Sequence, residues 1–197
     1  MVDEIRRFRG EMIWDGGARP AFRALDGRFI DQHPADPEAY HLVLRKAAGQ
    51  PIIACIAGAP LETLPESVVR NWNRILSDRL LDEHGVDESS VLEGARLVVA
   101  PEWRGRGVGQ LMVLGLVAVG QAIGRRLLWG TPGTRQHQHR LLIAAGLQVR
   151  EEYGRRYVPE LADTLCVVAG DPNQVSPRAR DAVAQVRSVV EQTLEAA

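Results

Sequence analysis

Lysine is almost missing from this chain: of its 24 basic residues only Lys46 is a lysine, which removes lysine chemistry from the plausible catalytic repertoire. Cysteine is nearly absent too. Cys55 and Cys166 stand inside apolar, strand-like runs with no metal-ligand spacing, so they read as small buried hydrophobes of a reduced compartment, and no metal is expected. No apolar run approaches membrane-spanning length and residues 1–10 are too charged for a signal peptide, so the expectation is a cytoplasmic protein without a membrane partner. Neither sign of charge is in excess. With a formal net charge of -1, a polyelectrolyte partner has nothing to grip; Arg6, Arg7 and Arg9 form a small basic cluster read as solvated, and no nucleic acid is expected. Gly-Lys-Ser/Thr is also missing, which excludes a nucleotide P-loop.

What the chain does have is glycine, 19 residues in 197, and three of these fall in Arg104-Gly105-Arg106-Gly107-Val108-Gly109. The string alone is a weak signal in a chain rich in Arg and Gly. Its context strengthens it: the β-branched run Leu97-Val98-Val99-Ala100 and Pro101-Glu102-Trp103 precede it, and an apolar, proline-free helical stretch follows from Leu111 to Ile123. Strand, glycine loop and helix in that order make an anion cradle. Glycine lets the backbone approach a ligand, and the helix start aims free N–H groups and its positive dipole end at it. A diphosphate is the natural guest. A dinucleotide fold is excluded, because Leu127-Leu128-Trp129-Gly130-Thr131 occupies the place where its acidic residue would stand.

The 197 residues and 45% hydrophobic content suit a single domain over 1–197, with a core over about 10–170 and a terminal helix over 176–197. Its pattern predicts an α/β chain. Met12-Ile13-Trp14 reads as a strand, 20–30 as a helix with Pro20 in its first turn, and 31–38 as a loop with solvated acids at Asp31 and Asp36. Two strands, 40–45 and 51–57, flank a hairpin turn. Residues 66–84 form an amphipathic helix stopped by Gly85, and 91–100 the strand that leads into the cradle. A strand over 126–129, a helix over 136–145 stopped by Gly146, and closing strands over 147–158 and 164–169 follow. In the tail, Val183, Val186, Val190 and Leu194 share one face, which docks on the body or on a partner and leaves a homodimer open.

Residues 97–112 resemble the central motif of the GNAT superfamily of N-acetyltransferases, Gln/Arg-x-x-Gly-x-Gly/Ala after a strand ending near proline, with Arg104, Gly107 and Gly109 at its fixed positions. Residues 127–146 fit the element order that follows the motif in that family. The resemblance implies a central, mostly antiparallel twisted sheet of about six or seven strands flanked by helices, and an acyl-CoA-dependent N-acyltransferase, acetyl-CoA being the default donor. It implies that the N–H groups of Arg104, Gly105, Arg106, Gly107, Val108 and Gly109 hold the CoA pyrophosphate, and that the main chain of Leu97, Val98 and Val99 pairs with the pantetheine arm. Thr134 and Arg135 fall near the place where many relatives have an asparagine on that arm. The stretches 40–44, 56–61 and 92–97 are also similar to a branch with acyl-homoserine-lactone and N-acyl amino acid synthases, which use long acyl chains, often from acyl carrier protein.

Direct attack of an amine on a thioester needs a base for the amine and benefits from an acid for the thiolate. Strand alternation sets Glu93, Ala95, Leu97 and Val99 on one face and Gly94, Arg96 and Val98 on the other. Glu93 is then either the base, or with Arg96 a structural ion pair, or one of two side chains reaching solvent at a sheet end. The family's usual tyrosine, four residues before the helix-ending glycine, is replaced by Leu142. Tyr153 and Tyr157 are the alternatives for the acid, Tyr153 first, and both are equally ordinary packing residues. The missing tyrosine also admits a domain that binds acyl-CoA without turnover. His137 and His139, two apart on a helix, diverge and make no zinc site. The acceptor is an amine, small molecule or peptide.

Overall fold

The computed structural model describes residues 1–195, with side chains through 193; the side chain of Leu194, expected on the apolar face, lies outside what is described. The chain opens with helix α1 (Val2–Trp14), which replaces the strand expected over Met12-Ile13-Trp14. Ile5, Phe8, Met12 and Ile13 recur at helical spacing and pack together against Cys55 and Val98, so burial of one helix face overrides the short apolar triplet. The helix expected over 20–30 is a single 3-10 turn, Pro20–Phe22, followed by a tight return that pairs Arg23 with Phe29. Asp26 accepts the Arg28 N–H and Gly27 takes φ 82, turn chemistry that wins over helix there.

Strands β1 (Tyr40–Arg45) and β2 (Ile52–Pro60) form the expected hairpin. The helix expected over 66–84 is two helices, α2 (Val68–Trp72) and α3 (Arg74–His84). Asn73 leaves helical geometry to cap the second, its side chain accepting the Leu76 N–H, and Gly85 ends it at φ 58. Strand β3 (Val91–Val99), helix α4 (Val108–Ala122), strand β4 (Leu127–Gly130) and helix α5 (Gln138–Ala145) follow as expected. Each closing strand is broken. Residues 147–158 become β5 (Gln148–Val149), a turn ending at Gly154 with φ 67, and β6 (Arg155–Val158); 163–170 become β7 (Asp163–Cys166) and β8 (Val168–Gly170). Helix α6 (Arg180–Glu195) closes the chain.

The main sheet has six strands in the order β1-β2-β3-β4-β8-β5, antiparallel except for β3 beside β4, while β6 and β7 pair separately. On one face, α4 packs Met112, Val113, Leu116 and Val117 against Leu92 and Ile56, and Ala179 together with Val183, Val186 and Val190 of α6 covers α4. The apolar face of the tail thus docks on its own body. On the other face lie α1 and, against Trp129 and Val91, the pair α2 and α3.

Strand β3 carries an irregularity that decides the site. Cys55 pairs with Val98 but Ala57 with Ala95, so Arg96 and Leu97 oppose Ile56 alone. The extra residue is a β-bulge, with Arg96 in left-handed geometry at φ 56, a conformation that costs a non-glycine residue about 1–2 kcal/mol. A bulge shifts strand parity. Leu97 and Val99 therefore face α4 while Val98 packs toward α1, and the predicted sharing of one face by Glu93, Leu97 and Val99 fails.

Candidate active site

The two parallel strands at the sheet centre part company. Pairing of β3 with β4 ends at Gly94 and Gly130, where the backbones are so close that a Cβ on Gly130 would meet the Gly94 carbonyl oxygen at 2.7 Å. Beyond that pair β3 runs on to Val99 while β4 turns away, leaving the Leu97–Val99 stretch with a main-chain edge toward a cleft. Gln138, at the start of α5, reaches across to donate its Nε2–H to the Leu97 carbonyl at 3.2 Å.

At the end of β3 the chain makes the cradle. Gly105 and Gly107 take φ 71 and 79, and Val108 begins α4. The N–H groups of Gly105, Arg106 and Gly107 have no acceptor among the described residues, and the first turn of α4 adds its own unpaired donors. Four glycine-loop positions, Arg104, Gly105, Gly107 and Gly109, line a cleft of about 410 Å³ together with Leu97, Val98 and Val99. Arg104 turns its Nε–H back to the Val99 carbonyl, and Arg106 lies 5.6 Å over the Trp103 ring, so neither head group is tied to a carboxylate. Arginines, main-chain donors and a helix start suit an anion with several oxygens.

A second cavity of about 380 Å³ shares Arg96, Leu97, Thr131, Gln138, Leu161 and Leu165 with the first. Its walls come from both faces of the sheet, Val113, Leu116 and Leu142 on one side, Phe22, His33, Glu93 and Trp129 on the other, so it passes through the gap between β3 and β4. Glu93 is 4% exposed. One carboxylate oxygen accepts from Ser67 Oγ and from Trp129 Nε1 at 2.8 Å, the other from the Val68 N–H at 2.8 Å. Burial pushes its pKa up, against the pull of those donors. Among the described residues no cation pairs with it.

The expected Glu93–Arg96 ion pair is absent, because the bulge turns Arg96 to Asp31, with Nε 2.9 Å from Oδ2. Asp31 and Asp36, expected as solvated loop acids, are 3% and 2% exposed. Arg9, expected as a solvated base, is buried between them: Nε stands 2.9 Å from Asp31 Oδ2, and Nη1 and Nη2 donate to the two oxygens of Asp36 at 2.8 and 2.7 Å. Arg6 adds a third bond to Asp36. Burial alone would raise the Asp36 pKa, but the Arg9 and Arg6 guanidiniums hold it far below the usual carboxylate range.

Other expected site residues lie elsewhere. The Tyr153 hydroxyl is sealed in the core, 3.3 Å from Ser77 Oγ, and lines neither cavity; Tyr157 is exposed on β6. Thr134 binds the Thr164 carbonyl through both N and Oγ1, and the Arg135 N–H binds Asp163, so this pair anchors the turn after β4 to β7 while Gln138 reaches β3. His137 sits outside the helix at φ 57, so its ring neighbours that of His139, 6.3 Å between centroids, instead of diverging. Among the described residues no group of three or more His, Cys, Asp or Glu side chains could hold a metal, and no helix is long and apolar enough to cross a membrane. Sequence reading missed His33 and Gln138; no local pattern marks either.

No protein-family model and no curated protein matches the sequence. Solved structures do match in fold. A CoA-dependent acyl-homoserine lactone synthase, MesI, superposes with a TM-score of 0.61 at 16% identity, covering 94% of this chain and 87% of that one. BjaI, of the same description and solved with SAM and isopentyl-CoA, gives 0.64 at 14% identity over 93% and 80%. TofI, in a ternary complex with an inhibitor and MTA, gives 0.64 at 16% over 90% and 88%. This is a GNAT-like fold in the form that acyl-homoserine lactone synthases have. In that GNAT-like frame the parted strands, the glycine loop and the cavity through the sheet form one continuous feature.

Proposed function

We propose that the protein is an acyl-CoA-dependent N-acyltransferase, moving an acyl group from a CoA thioester to an amine by direct attack. One observation carries the reading: a single strand, β3, borders the anion cradle at one end and holds a buried carboxylate, Glu93, at the other, and between them its cleft-side edge has no partner strand, the Leu97 and Val99 carbonyls being met by the Gln138 and Arg104 side chains. In this reading the N–H groups of residues 104–109 bind the pyrophosphate, Leu97, Val98 and Val99 pair with the amide-bearing arm, and the thioester reaches the gap beyond Gly94. Glu93, with its pKa raised by burial, takes the proton that the attacking amine loses, through a water. Thr134 and Arg135 support the arm by fixing the β4–α5 turn.

The apolar part of the second cavity, lined by Ile56, Val113, Leu116 and Leu142, favours a second form of the same reading, transfer of a longer acyl chain. That MesI and BjaI are CoA-dependent synthases supports CoA over a carrier protein as donor. Calorimetric titration with acetyl-CoA and octanoyl-CoA, followed by thiol release against a panel of amines, tests both forms. Binding that Gly107→Val weakens, with release for at least one amine, is the expected result; binding without release for any amine would leave a sensor, and no binding would end the reading.

A further inference from the structure

His33 has no part in the chemistry described above, yet it lines the same cavity as Glu93, Gly94, Ala95 and Arg96. It is held there from two sides. Its main-chain N–H donates to Asp36 Oδ2 at 3.2 Å, and its ring Nδ1 stands 3.3 Å from the Ala35 N, whose only proton must point at it. Nδ1 is therefore an acceptor. A neutral imidazole carries a single N–H, so the proton is on Nε2, which has no hydrogen-bond partner among the described residues.

The charge state follows from the neighbourhood. Burial disfavours the imidazolium first, and the Arg96 guanidinium and Arg9 add to this; Asp31 and Asp36 pull the other way but are themselves neutralised by Arg9, Arg6 and Arg96. The His33 pKa falls to about 4. Of the charged groups lining the cavity, Glu93 and Glu160 only accept and Arg96 is engaged by Asp31. The cavity is thus lined by a neutral imidazole with its proton on Nε2 and by a buried carboxylate, a donor and a base of the kinds that addition to a carbonyl uses.

Resting on the acyltransfer reading above, we propose that His33 is a catalytic residue that donates its Nε2–H to the carbonyl oxygen of the transferred acyl group as that oxygen gains negative charge. The amine nitrogen bonds to the thioester carbon and the π pair moves onto oxygen, where His33 hydrogen-bonds it and keeps its own proton. The pair then returns, the C–S bond breaks, sulfur leaves with its electrons as the thiolate, and the proton lost by nitrogen goes to Glu93. His33 thus does not replace the absent tyrosine: it stabilises the addition step, and sulfur leaves unprotonated.

The test is the infrared band of carbonyl-labelled acetyl-CoA bound to the full chain, which needs no knowledge of the amine. In the wild type the band lies below that of free acetyl-CoA; His33→Ala abolishes the shift while changing acetyl-CoA affinity less than about threefold, and His33→Gln, which keeps an N–H near the Nε2 position, restores part of it. With any amine that releases thiol, His33→Ala lowers kcat about 100-fold at nearly unchanged KM for the donor, and the wild-type kcat shows no inflection from this imidazole near pH 6.5. Should His33→Ala not fold, the wild-type nitrogen spectrum of labelled histidine decides: Nε2–H tautomer at neutral pH, with Nε2 moving on addition of acetyl-CoA. An equal band in wild type and variant, or an Nδ1–H tautomer, overturns the proposal alone. Failure of the wild type to bind acetyl-CoA overturns the acyltransfer reading along with it.

Discussion

At the scale of single residues, burial and hydrogen bonding pull the Glu93 carboxyl in opposite directions. It accepts from Ser67, Val68 and Trp129, all of which favour the carboxylate, yet burial outweighs them and raises its pKa from the ordinary 4.5. A raised carboxyl pKa means that the folded state binds protons more readily than the unfolded one. Stability is therefore greatest below the ordinary value and is lost as pH rises from about 4.5 through the folded value. Glu93→Gln should remove that slope, seen as wild-type and variant urea-unfolding free energies that diverge with pH. It should also lower acyl transfer at least 100-fold with acetyl-CoA affinity preserved, in keeping with loss of a general base. Parallel stability profiles across that range would mean that Glu93 is ionised in the fold at no cost. The chain itself placed Glu93 on the cradle strand; its freedom from Arg96 came from a bulge with no local mark, since the left-handed residue is an arginine where glycine would have announced it.

At the scale of elements, α1 is held to the body by charge as much as by apolar packing. Arg9, 1% exposed, bridges Asp31 and Asp36 from the loop before β1, and Asp31 passes the connection to Arg96 on β3. Removing one side of a buried pair leaves the other uncompensated, so Asp36→Ala should cost about 3–5 kcal/mol in chemical denaturation at neutral pH. Because the Asp36 pKa is depressed, its contribution is complete above the ordinary carboxylate value near 4 and is lost as pH falls below it. The gap between wild type and Asp36→Ala should therefore narrow in acid, and a gap independent of pH would assign the loss to packing. Elements with strong periodicity and end signals were legible before the structure: the β1–β2 hairpin, α4 after its glycines, α3 stopped by Gly85. Short or polar ones were not. Met12-Ile13-Trp14 belongs to a helix because its partners on that face, Ile5 and Phe8, lie a turn or two earlier, and the closing strands break because two sheets compete for one stretch.

At the scale of the whole molecule, the cavity that crosses the sheet depends on matched glycines in neighbouring strands. A Cβ on Gly58 of β2 or on Gly94 of β3 would meet the methyls of Leu116 at 2.6 and 2.7 Å, so the two glycines admit this α4 side chain to the cavity wall. Under the acyltransfer proposal Leu116 then limits how deep an acyl chain can go. Leu116→Ala should shift the preferred donor toward longer chains in a competition among acetyl-, hexanoyl- and decanoyl-CoA, at a stability cost of about 2–5 kcal/mol. An unchanged order of preference would remove Leu116 from the path of the chain. The sequence by itself determined the cradle, because three glycines between a strand and a helix are a local conformational demand that neighbours along the chain suffice to meet. Only the tertiary structure decided the rest of the site. Asp31 and His33 come from one loop and Arg96 from β3; they meet because a bulge, a buried ion network and two parted strands bring loop and strand together, and these long-range pairings leave no trace in the order of residues.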